Sequence, residues 1–292
     1  MNAESNNHFV TVIIPTINRN SLPIVLEALK NQTRKPDEII VKEDKQHLGV
    51  SVMRNEGIEN SKGDLIAFLD DDNVPGKEWL ETFVGEIDRH NADGVSSNYS
   101  EEDQFLDEIR QRRNYPKEVV INPNGFFGIG GNCMYRKASL EECKRQDTFT
   151  FDPKIKITQD VELAWRMRSR GFKLVYVINN VRHLKRLKPI AFIKFQFLRG
   201  TGISNLYILR NTYRNIDLGP SLLWNDSTKK NPMKKWFNVI WYRIIGPFDY
   251  KSFSKFRYFI LFWIGEKAKA LGFLFDLFSA KVSGKKPSGR LR

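Results

Sequence analysis

Three adjacent aspartates, Asp70, Asp71 and Asp72, are the strongest candidates for chemistry in this sequence. They directly follow an apolar segment, 64–69 (DLIAFL), which is typical of a buried strand. Because neighbouring carboxylates repel one another, the arrangement gains from facing a cation. Mg²⁺ and Mn²⁺ usually take one or two protein carboxylates and complete their shell with phosphate and water. The triplet therefore predicts a metal site, with an acidic turn or a helix cap as the structural alternative.

Polar residues also follow two other short segments that are typical of strands. The first, 8–15, is rich in β-branched residues and ends at a proline, and the second, 38–41, reads EIIV. The residues concerned are Pro15, Thr16, Asn18 and Arg19 after the first segment, and Glu43 and Asp44 after the second. Taken singly, they are equally compatible with ordinary polar loops.

Arg54 and Asp160 are further candidates for direct roles. Arg54 belongs to 49–60, which has the character of a helix, and a guanidinium suits bidentate contact with a phosphate. Asp160 stands at the start of a second helical segment, 161–170, where a carboxylate also serves as a cap. Each therefore has a structural alternative, a surface arginine and a helix cap.

The order of the segments predicts an α/β fold. Strand-like and helix-like segments alternate from residue 8 to residue 97. This alternation is typical of a Rossmann-like, mostly parallel sheet flanked by crossover helices. Ligands bind such sheets beyond the carboxyl ends of the strands, where the aspartates and the other polar residues lie. The first three strands and the helices between them must therefore position the site.

Six motifs, in order, resemble the family 2 glycosyltransferases of the GT-A fold. They read PTINR, KED, GVSVMRNEGIENSKGD, FLDDDNVP, GGN and QDVELAWRMRSRGF, and they fall within residues 9–183. Each motif is short, but their common order is specific. The resemblance implies a GT-A catalytic domain over residues 1–183.

The resemblance also implies roles for the motif residues. The nucleotide-sugar donor would be contacted by Pro15, Thr16, Asn18, Arg19, Glu43, Asp44, Arg54, Asp70 and Asp71. The metal would be held by Asp72, Asp70 and His183, with Asp72 the more direct ligand of the Asp-x-Asp pair and Asp71 the most replaceable of the triplet. The acceptor side would comprise Gly130, Gly131, Asn132 and Gln159, and Asp160 would be the catalytic base. This chain departs from the family pattern at two places. It has Glu43-Asp44-Lys45-Gln46 where the family commonly has Asp-Asp-Gly-Ser, and Gln159-Asp160 where the family has Glu-Asp.

The expected reaction moves a sugar from a UDP- or GDP-sugar to an acceptor hydroxyl with Mg²⁺ or Mn²⁺ bound. Asp160 would take the hydroxyl proton as the oxygen attacks the anomeric carbon. One direct displacement inverts that carbon, and the second carboxylate that a retaining double displacement needs is not evident in the sequence. The expected acceptor is a cell-surface or lipid-linked glycan, as in polysaccharide biosynthesis.

Charge divides the chain into two unlike parts. The net charge is +13, but residues 1–181 hold 24 Lys+Arg against 29 Asp+Glu, and residues 182–292 hold 23 against 5, a net of +18. The basic part contains aromatic clusters typical of helices in a membrane interface. Helical spacing puts one apolar stripe on Phe256, Phe259, Ile260, Trp263, Leu271, Leu274, Phe275 and Phe278. Residues 184–280 are therefore predicted to form a basic amphipathic helical extension that binds an anionic membrane surface or packs on the catalytic domain, and 281–292 a disordered tail.

Other classes of function fit only part of the sequence. A nucleic-acid-binding protein would explain the basic part but not the ordered acidic motifs, so no nucleic-acid partner is expected. An inactive glycan-binding module would not need both Asp160 and the aspartate triplet. Cys133 and Cys143 are expected to be reduced thiols, and neither a secretory signal nor an apolar run long enough to span a bilayer is recognised. The expected location is the cytoplasm, at the inner face of the cell membrane.

Overall fold

The structure is a computed structural model that describes residues 7–111, 116–122, 130–179, 181–209 and 253–282. Its contacts divide the chain into two compact units, Met1–Lys185 and Arg186–Arg292.

The first unit alternates strands and helices from its start. Its first half contains β1 (Val10–Thr16), α1 (Leu22–Lys30), β2 (Glu38–Glu43), α2 (Val50–Asn60), β3 (Leu65–Leu69), β4 (Asn73–Pro75), α3 (Trp79–His90) and β5 (Gly94–Ser97). Its second half contains β6 (Ser100–Glu101), α4 (Gln104–Gln111), β7 (Val120–Ile121), β8 (Asn132–Arg136), α5 (Lys137–Asp147), α6 (Gln159–Ser169), β9 (Leu174–Val177) and β10 (Val181–His183).

Seven of these strands form the central sheet, in the order β2-β1-β3-β8-β5-β9-β7. β1 pairs in parallel with both β2 and β3, and β5 pairs in parallel with β9, whereas β8 and β7 run against their neighbours. Parallel strands need crossover connections, which α1 and α2 supply. The predicted α/β class with a mostly parallel sheet flanked by helices is confirmed.

The core lies on both faces of this sheet. All residues of β1 and β3 are buried, as expected for parallel strands covered on both sides. On one face Val12 and Ile14 pack with Trp79 and Phe83 of α3 and other residues. On the other face Ile13 packs with a cluster that includes Phe68, Tyr135, Phe151 and Leu163. This packing holds the carboxyl ends of β1 and β3 in fixed positions beside each other.

A second, three-stranded sheet has the order β4-β10-β6. Its register places His183 opposite Asn73 on one side and opposite Glu101 on the other. Asn73 directly follows the aspartate triplet, and the amide of Leu184 donates a hydrogen bond to the carbonyl of Asp72 at 2.8 Å. The small sheet therefore brings the end of the first unit next to the triplet.

The second unit contains two described helices, α7 (Pro189–Leu209) and α8 (Phe256–Val282). They pack closely because Gly200 and Gly272 let the two backbones approach, and a Cβ at either would overlap a carbonyl of the other helix. In the described part of the chain, neither helix has the length and apolarity needed to cross a bilayer. The predicted aromatic cluster at 236–245 and residues 283–292 of the predicted tail lie outside the described residues.

Candidate active site

A cleft of about 220 Å³ opens at the carboxyl ends of β1 and β3. It is lined by Pro15, Thr16, Ile17, Arg19, Asp44, Val50, Met53, Arg54, Asp70, Asp71 and Gln159. Most of these are polar residues that the sequence predicts for the donor site, and they come from β1, the loop after β2, α2 and the end of β3. The sheet thus gathers into one cleft residues that are far apart in the chain.

Asp71 is fully buried at the floor of this region. Its carboxylate accepts hydrogen bonds from the hydroxyl of Thr16 and from Nη1 of Arg19. The amide of Asn18, which adopts a left-handed conformation (φ 61°), donates to the hydroxyl oxygen of Thr16 at 2.8 Å. Asp71 therefore ties the loop after β1 to the end of β3. Its burial contradicts the expectation that Asp71 is the most replaceable member of the triplet.

Asp72 lies among positively charged and imidazole groups. Its Oδ2 is 3.4 Å from Nη1 of Arg19, and its Oδ1 is 3.4 Å from Nε2 of His183. Nδ1 of His183 donates a hydrogen bond to Oε2 of Glu101 at 2.6 Å. The imidazole is thus held between two carboxylates that lie 29 positions apart in the sequence.

These contacts shift the protonation of the three groups in a consistent way. Burial alone would raise the pKa of Asp72, but the hydrogen bond and charge of His183 and the charge of Arg19 lower it overall. The pKa of Glu101 is lowered in the same way by His183 and Arg110. Burial would lower the pKa of His183, but both carboxylates stabilise its protonated form and raise the pKa. Protonation of His183 and ionisation of the two carboxylates therefore stabilise each other.

Asp70 is paired with Arg54. Nη2 of Arg54 donates to Oδ1 of Asp70 at 2.9 Å, and the Arg54 side chain is only 2% exposed while that of Asp70 is 37% exposed. The guanidinium lies 5.4 Å from the ring centre of Phe151 and 6.0 Å from that of Phe68. Arg54 is therefore a buried cation at the wall of the cleft, and not the surface arginine of the structural alternative.

Asp160 lies in the first turn of α6, near Arg54. Its Oδ2 accepts a hydrogen bond from the amide of Gly130 at 2.8 Å, and its Oδ1 accepts one from the amide of Val161 at 3.0 Å. Burial raises the pKa of Asp160, while the charge of Arg54 and the amide of Gly130 oppose that change. Its neighbour Gln159 is buried and lines the cleft. The carboxylate is held rigidly and is a better proton acceptor than an exposed aspartate.

Gly130 and Gly131 lie against the charged groups of the cleft. A Cβ at Gly130 would overlap the guanidinium of Arg54, and a Cβ at Gly131 would overlap the carboxylate of Asp70. Asn132 is fully buried, and its side chain joins Trp79 to the carbonyls of Ser97 and Asn98. The acceptor-side prediction for Asn132 is therefore corrected, because its amide braces the core.

Of the acidic pair at the end of β2, Asp44 lines the cleft as predicted for the donor site and Glu43 does not. Asp44 lines the cleft, but its two oxygens accept hydrogen bonds from the amides of Leu48 and Gly49, each at 2.8 Å. Its carboxylate therefore also holds the loop that begins α2. Glu43 is not among the residues that line the cleft, and its carboxylate pairs with Lys45 at 3.5 Å.

Two charged residues near the triplet were not predicted. Glu101 is separated from its partner His183 by 82 positions, and no local pattern marks it. Lys185 lies beside Asp72, where burial lowers the pKa of its ammonium group and the charge of Asp72 opposes that change. The role of Glu101 becomes visible only when β6 pairs with β10. The position of Lys185 becomes visible only when the chain returns past Asp72.

The donor set of the triplet fits a hard divalent cation with few protein ligands. In the part of the chain that the structure describes, no three His, Cys, Asp or Glu side chains converge into a closed metal cage. Asp72 and His183 adjoin each other, whereas the carboxylate of Asp70 is engaged by Arg54. Mg²⁺ and Mn²⁺ suit such an open arrangement, because phosphate and water fill their remaining positions. Asp72 and His183 are the residues that fit the cation best.

Parts of the chain are similar to known proteins. Residues 41–144 match the model of glycosyl transferase family 2. "Glycosyltransferase GlyA" of Streptococcus pneumoniae is 28% identical over 115 residues, which are 31% of this chain and 16% of that protein. "Glycosyltransferase AglE" of Haloferax volcanii is 41% identical over 61 residues, which are 21% of this chain and 19% of that protein. The solved structure of S. aureus TarS aligns with a TM-score of 0.48 and 15% identity over 92% of this chain and 55% of that one.

The fold and cleft define an α/β protein with an acidic site at the carboxyl end of its sheet. The family match covers α2, β3 and the aspartate triplet, which supply part of the lining of this cleft, whereas β1 and Gln159 lie outside the matched residues. The matched segment, residues 41–144, supports the resemblance to glycosyl transferase family 2 that the motifs predict. The aligned segments span less than a fifth of the length of each of the two curated relatives.

Proposed function

We propose that this chain is an inverting, metal-dependent glycosyltransferase that uses a nucleoside-diphosphate sugar. The observation that carries the proposal is the position of Arg54, which donates to Asp70 on the donor side and whose charge acts on Asp160. A candidate base and the aspartate triplet are thus both close to one buried cation at the wall of the cleft. A base near a positively charged diphosphate site supports sugar transfer from a diphosphate leaving group to an acceptor hydroxyl.

Asp160 is the proposed base. It accepts the proton of the acceptor hydroxyl as that oxygen attacks the anomeric carbon, while the bond to the diphosphate breaks on the opposite side. The amides of Gly130 and Val161 fix the carboxylate, and burial raises its pKa so that it holds the proton better. A single displacement of this kind inverts the anomeric configuration.

The donor side carries the proposed diphosphate contacts. Arg19 is half-exposed at the cleft and is held by Asp71, so its guanidinium is available to contact the phosphates of a donor. Arg54 adds a second positive charge at the wall. When bound, Mg²⁺ or Mn²⁺ at Asp72 and His183 would neutralise charge on the leaving diphosphate. The apolar side chains of Val50 and Met53 offer a surface for the nucleoside.

A panel of nucleotide-sugars tests this function directly. UDP- and GDP-sugars are added to the full chain with Mn²⁺, with Mg²⁺ or with EDTA, and the melting temperature and donor hydrolysis are measured. We expect at least one donor to raise the melting temperature only when a metal is present. Asp72→Ala should remove the metal dependence. A panel in which no donor changes the melting temperature or is hydrolysed would contradict the proposal.

The proposed acceptor lies at an anionic membrane surface, on a lipid-linked or cell-surface glycan. The described part of α8 carries a stripe of strongly exposed apolar side chains: Phe256 (67%), Leu271 (61%), Phe275 (63%) and Phe278 (62%). Phe259, which the sequence places on the same stripe, is buried instead. The +18 charge of residues 182–292 complements anionic lipid headgroups, and the exposed aromatic side chains suit the interfacial layer.

Vesicle sedimentation tests the membrane proposal. The full chain should sediment with vesicles that contain phosphatidylglycerol, and less with neutral phosphatidylcholine vesicles. The variant Phe275→Ser/Phe278→Ser should lose most of this binding, while Ile39→Ser, an exposed apolar residue of β2, should not. Equal sedimentation of both variants would contradict the assignment to α8.

A further inference from the structure

We infer that Glu101 is a positioning residue for the metal site, acting through the imidazole of His183. This inference rests on the proposed function, and it assigns a role to a residue for which the motifs give none. Glu101 lies on β6 directly opposite His183 on β10, and the amide of Glu102 donates to the carbonyl of His183 at 3.0 Å. The backbone pairing thus fixes the distance between the two side chains.

The contact determines which nitrogen of the imidazole is free. Oε2 of Glu101 only accepts hydrogen bonds, so Nδ1 of His183 must carry the hydrogen in their 2.6 Å contact. In the neutral ring the lone pair is then on Nε2, which faces Oδ1 of Asp72 at 3.4 Å. Histidines that ligate metals commonly donate their other ring N–H to a carboxylate, which fixes the tautomer and strengthens the ligand.

The separation of Nε2 from Asp72 suits a shared cation. Two ligand atoms that each lie about 2.1 Å from a metal at a right angle are about 3 Å apart. The observed 3.4 Å is close to that spacing. A lone pair and a carboxylate oxygen that face each other at this distance both gain from a cation between them.

Glu101 is itself held in place. Its other oxygen, Oε1, accepts hydrogen bonds from Nε and Nη2 of Arg110, at 2.9 and 2.7 Å. The guanidinium stacks 3.5 Å from the ring centre of Tyr99, and that ring packs edge-on against the imidazole of His183 at 4.7 Å. Arg110 therefore supports both the carboxylate and the ring that confine His183.

The tautomer can be measured in the unaltered protein. With histidine labelled with ¹⁵N, long-range ¹H–¹⁵N spectra at a pH where His183 is neutral show which nitrogen carries the hydrogen. His183→Gln identifies the signal among the four histidines of the chain. We expect the hydrogen on Nδ1. A hydrogen on Nε2 overturns the inference, whether or not any variant folds.

Metal affinity gives the second measurement, with Mn²⁺ as the probe and its free signal followed by electron paramagnetic resonance. Glu101→Gln should weaken Mn²⁺ binding by about 10–100-fold, the usual effect of losing such a partner. Asp147→Asn is the matched control. The carboxylate of Asp147 is equally buried and pairs with Arg166 at 2.8 Å and with Arg170 at 2.6 Å. None of these three residues lines the cleft.

The outcomes separate this inference from the proposed function. Weaker binding in Glu101→Gln with unchanged binding in Asp147→Asn supports the positioning role. Wild-type binding of Mn²⁺ with an unchanged Glu101→Gln overturns the role while the metal site stands. An equal loss in both variants also overturns it, since general loosening then explains the effect. A wild-type chain that does not bind Mn²⁺ overturns the metal proposal and this inference with it.

Discussion

Nη2 of Arg54 lies 2.9 Å from Oδ1 of Asp70, in a guanidinium that is almost entirely withdrawn from solvent. Among the described residues, its Nε and Nη1 have no hydrogen-bond partner, although both are buried. A buried cation with unused donors at the wall of an acidic cleft is suited to a ligand that brings negative charge. The same guanidinium lowers the pKa of Asp160, which burial raises. Arg54 therefore connects the two halves of the proposed reaction.

The first prediction concerns the pH dependence of transfer. Arg54→Met removes the positive charge that opposes the raised pKa of Asp160, so that pKa should rise further. A base must be unprotonated to act, and activity falls as the pH drops through its pKa. The acid limb of the profile of kcat/KM against pH should therefore move to higher pH in Arg54→Met.

Arg54→Lys is the matched control for this experiment. Lysine keeps the charge but lacks the planar fork that reaches Asp70. The acid limb of the kcat/KM profile of Arg54→Lys should therefore stay closer to that of the wild type, even if donor binding weakens. If Arg54→Met and the wild type share one acid limb, the electrostatic link between Arg54 and Asp160 is wrong.

The second prediction concerns Asp160 itself. Asp160→Asn keeps the shape of the side chain but removes its ability to accept a proton, so transfer should fall by about 10²–10⁴-fold. Donor affinity should change little, because Asp160 is absent from the lining of the cleft at the ends of β1 and β3. Single-turnover transfer and donor binding by calorimetry measure the two effects. Wild-type turnover in this variant would contradict the base assignment.

The third prediction separates Asp71 from Asp72. Asp71→Ala leaves the hydroxyl of Thr16 and the guanidinium of Arg19 without their acceptor, so the free energy of unfolding should fall by about 1–3 kcal/mol. Asp72→Ala should destabilise the fold less, since its neighbours lie at 3.4 Å, yet it should abolish the metal dependence of donor binding. Urea denaturation and titrations with and without EDTA distinguish the two. Equal stability losses would show that the division of roles is wrong.

The sequence predicts the part of the fold that local patterns control. Helix α3 (Trp79–His90) and strand β5 (Gly94–Ser97) fall within the alternation predicted over residues 8–97, because their apolar spacing is regular and turn residues flank them. The buried runs of β1 and β3 locate the two strand ends that form the cleft. Short elements such as β4, β6 and β10 were missed, since two or three residues carry no periodicity.

Contacts between distant segments could not be predicted from the sequence. Glu101 meets His183 only because β6 pairs with β10, and Asn132 turns inward only because Trp79 offers it an indole N–H. Asp71 looks like the spare member of an Asp-x-Asp pair in the sequence. Its burial follows from the positions of Thr16 at the end of β1 and of Arg19 in the loop that follows, which the pairing of β1 with β3 determines.

The last prediction concerns the close approach of Gly131 to Asp70. A Cβ at residue 131 would overlap the carboxylate of Asp70, which is held from the other side by Arg54. Gly131→Ala should displace Asp70 and lower kcat/KM by about 100-fold, since small misplacements of such groups are costly. Gly85→Ala, in the exposed middle of α3 with open space at the Cβ position, is the control and should leave kcat/KM unchanged while stabilising the helix by about 1 kcal/mol. Steady-state kinetics with the donor found in the panel, together with thermal melting, measure both variants. Full activity in Gly131→Ala would show that the position of Asp70 is not critical to transfer.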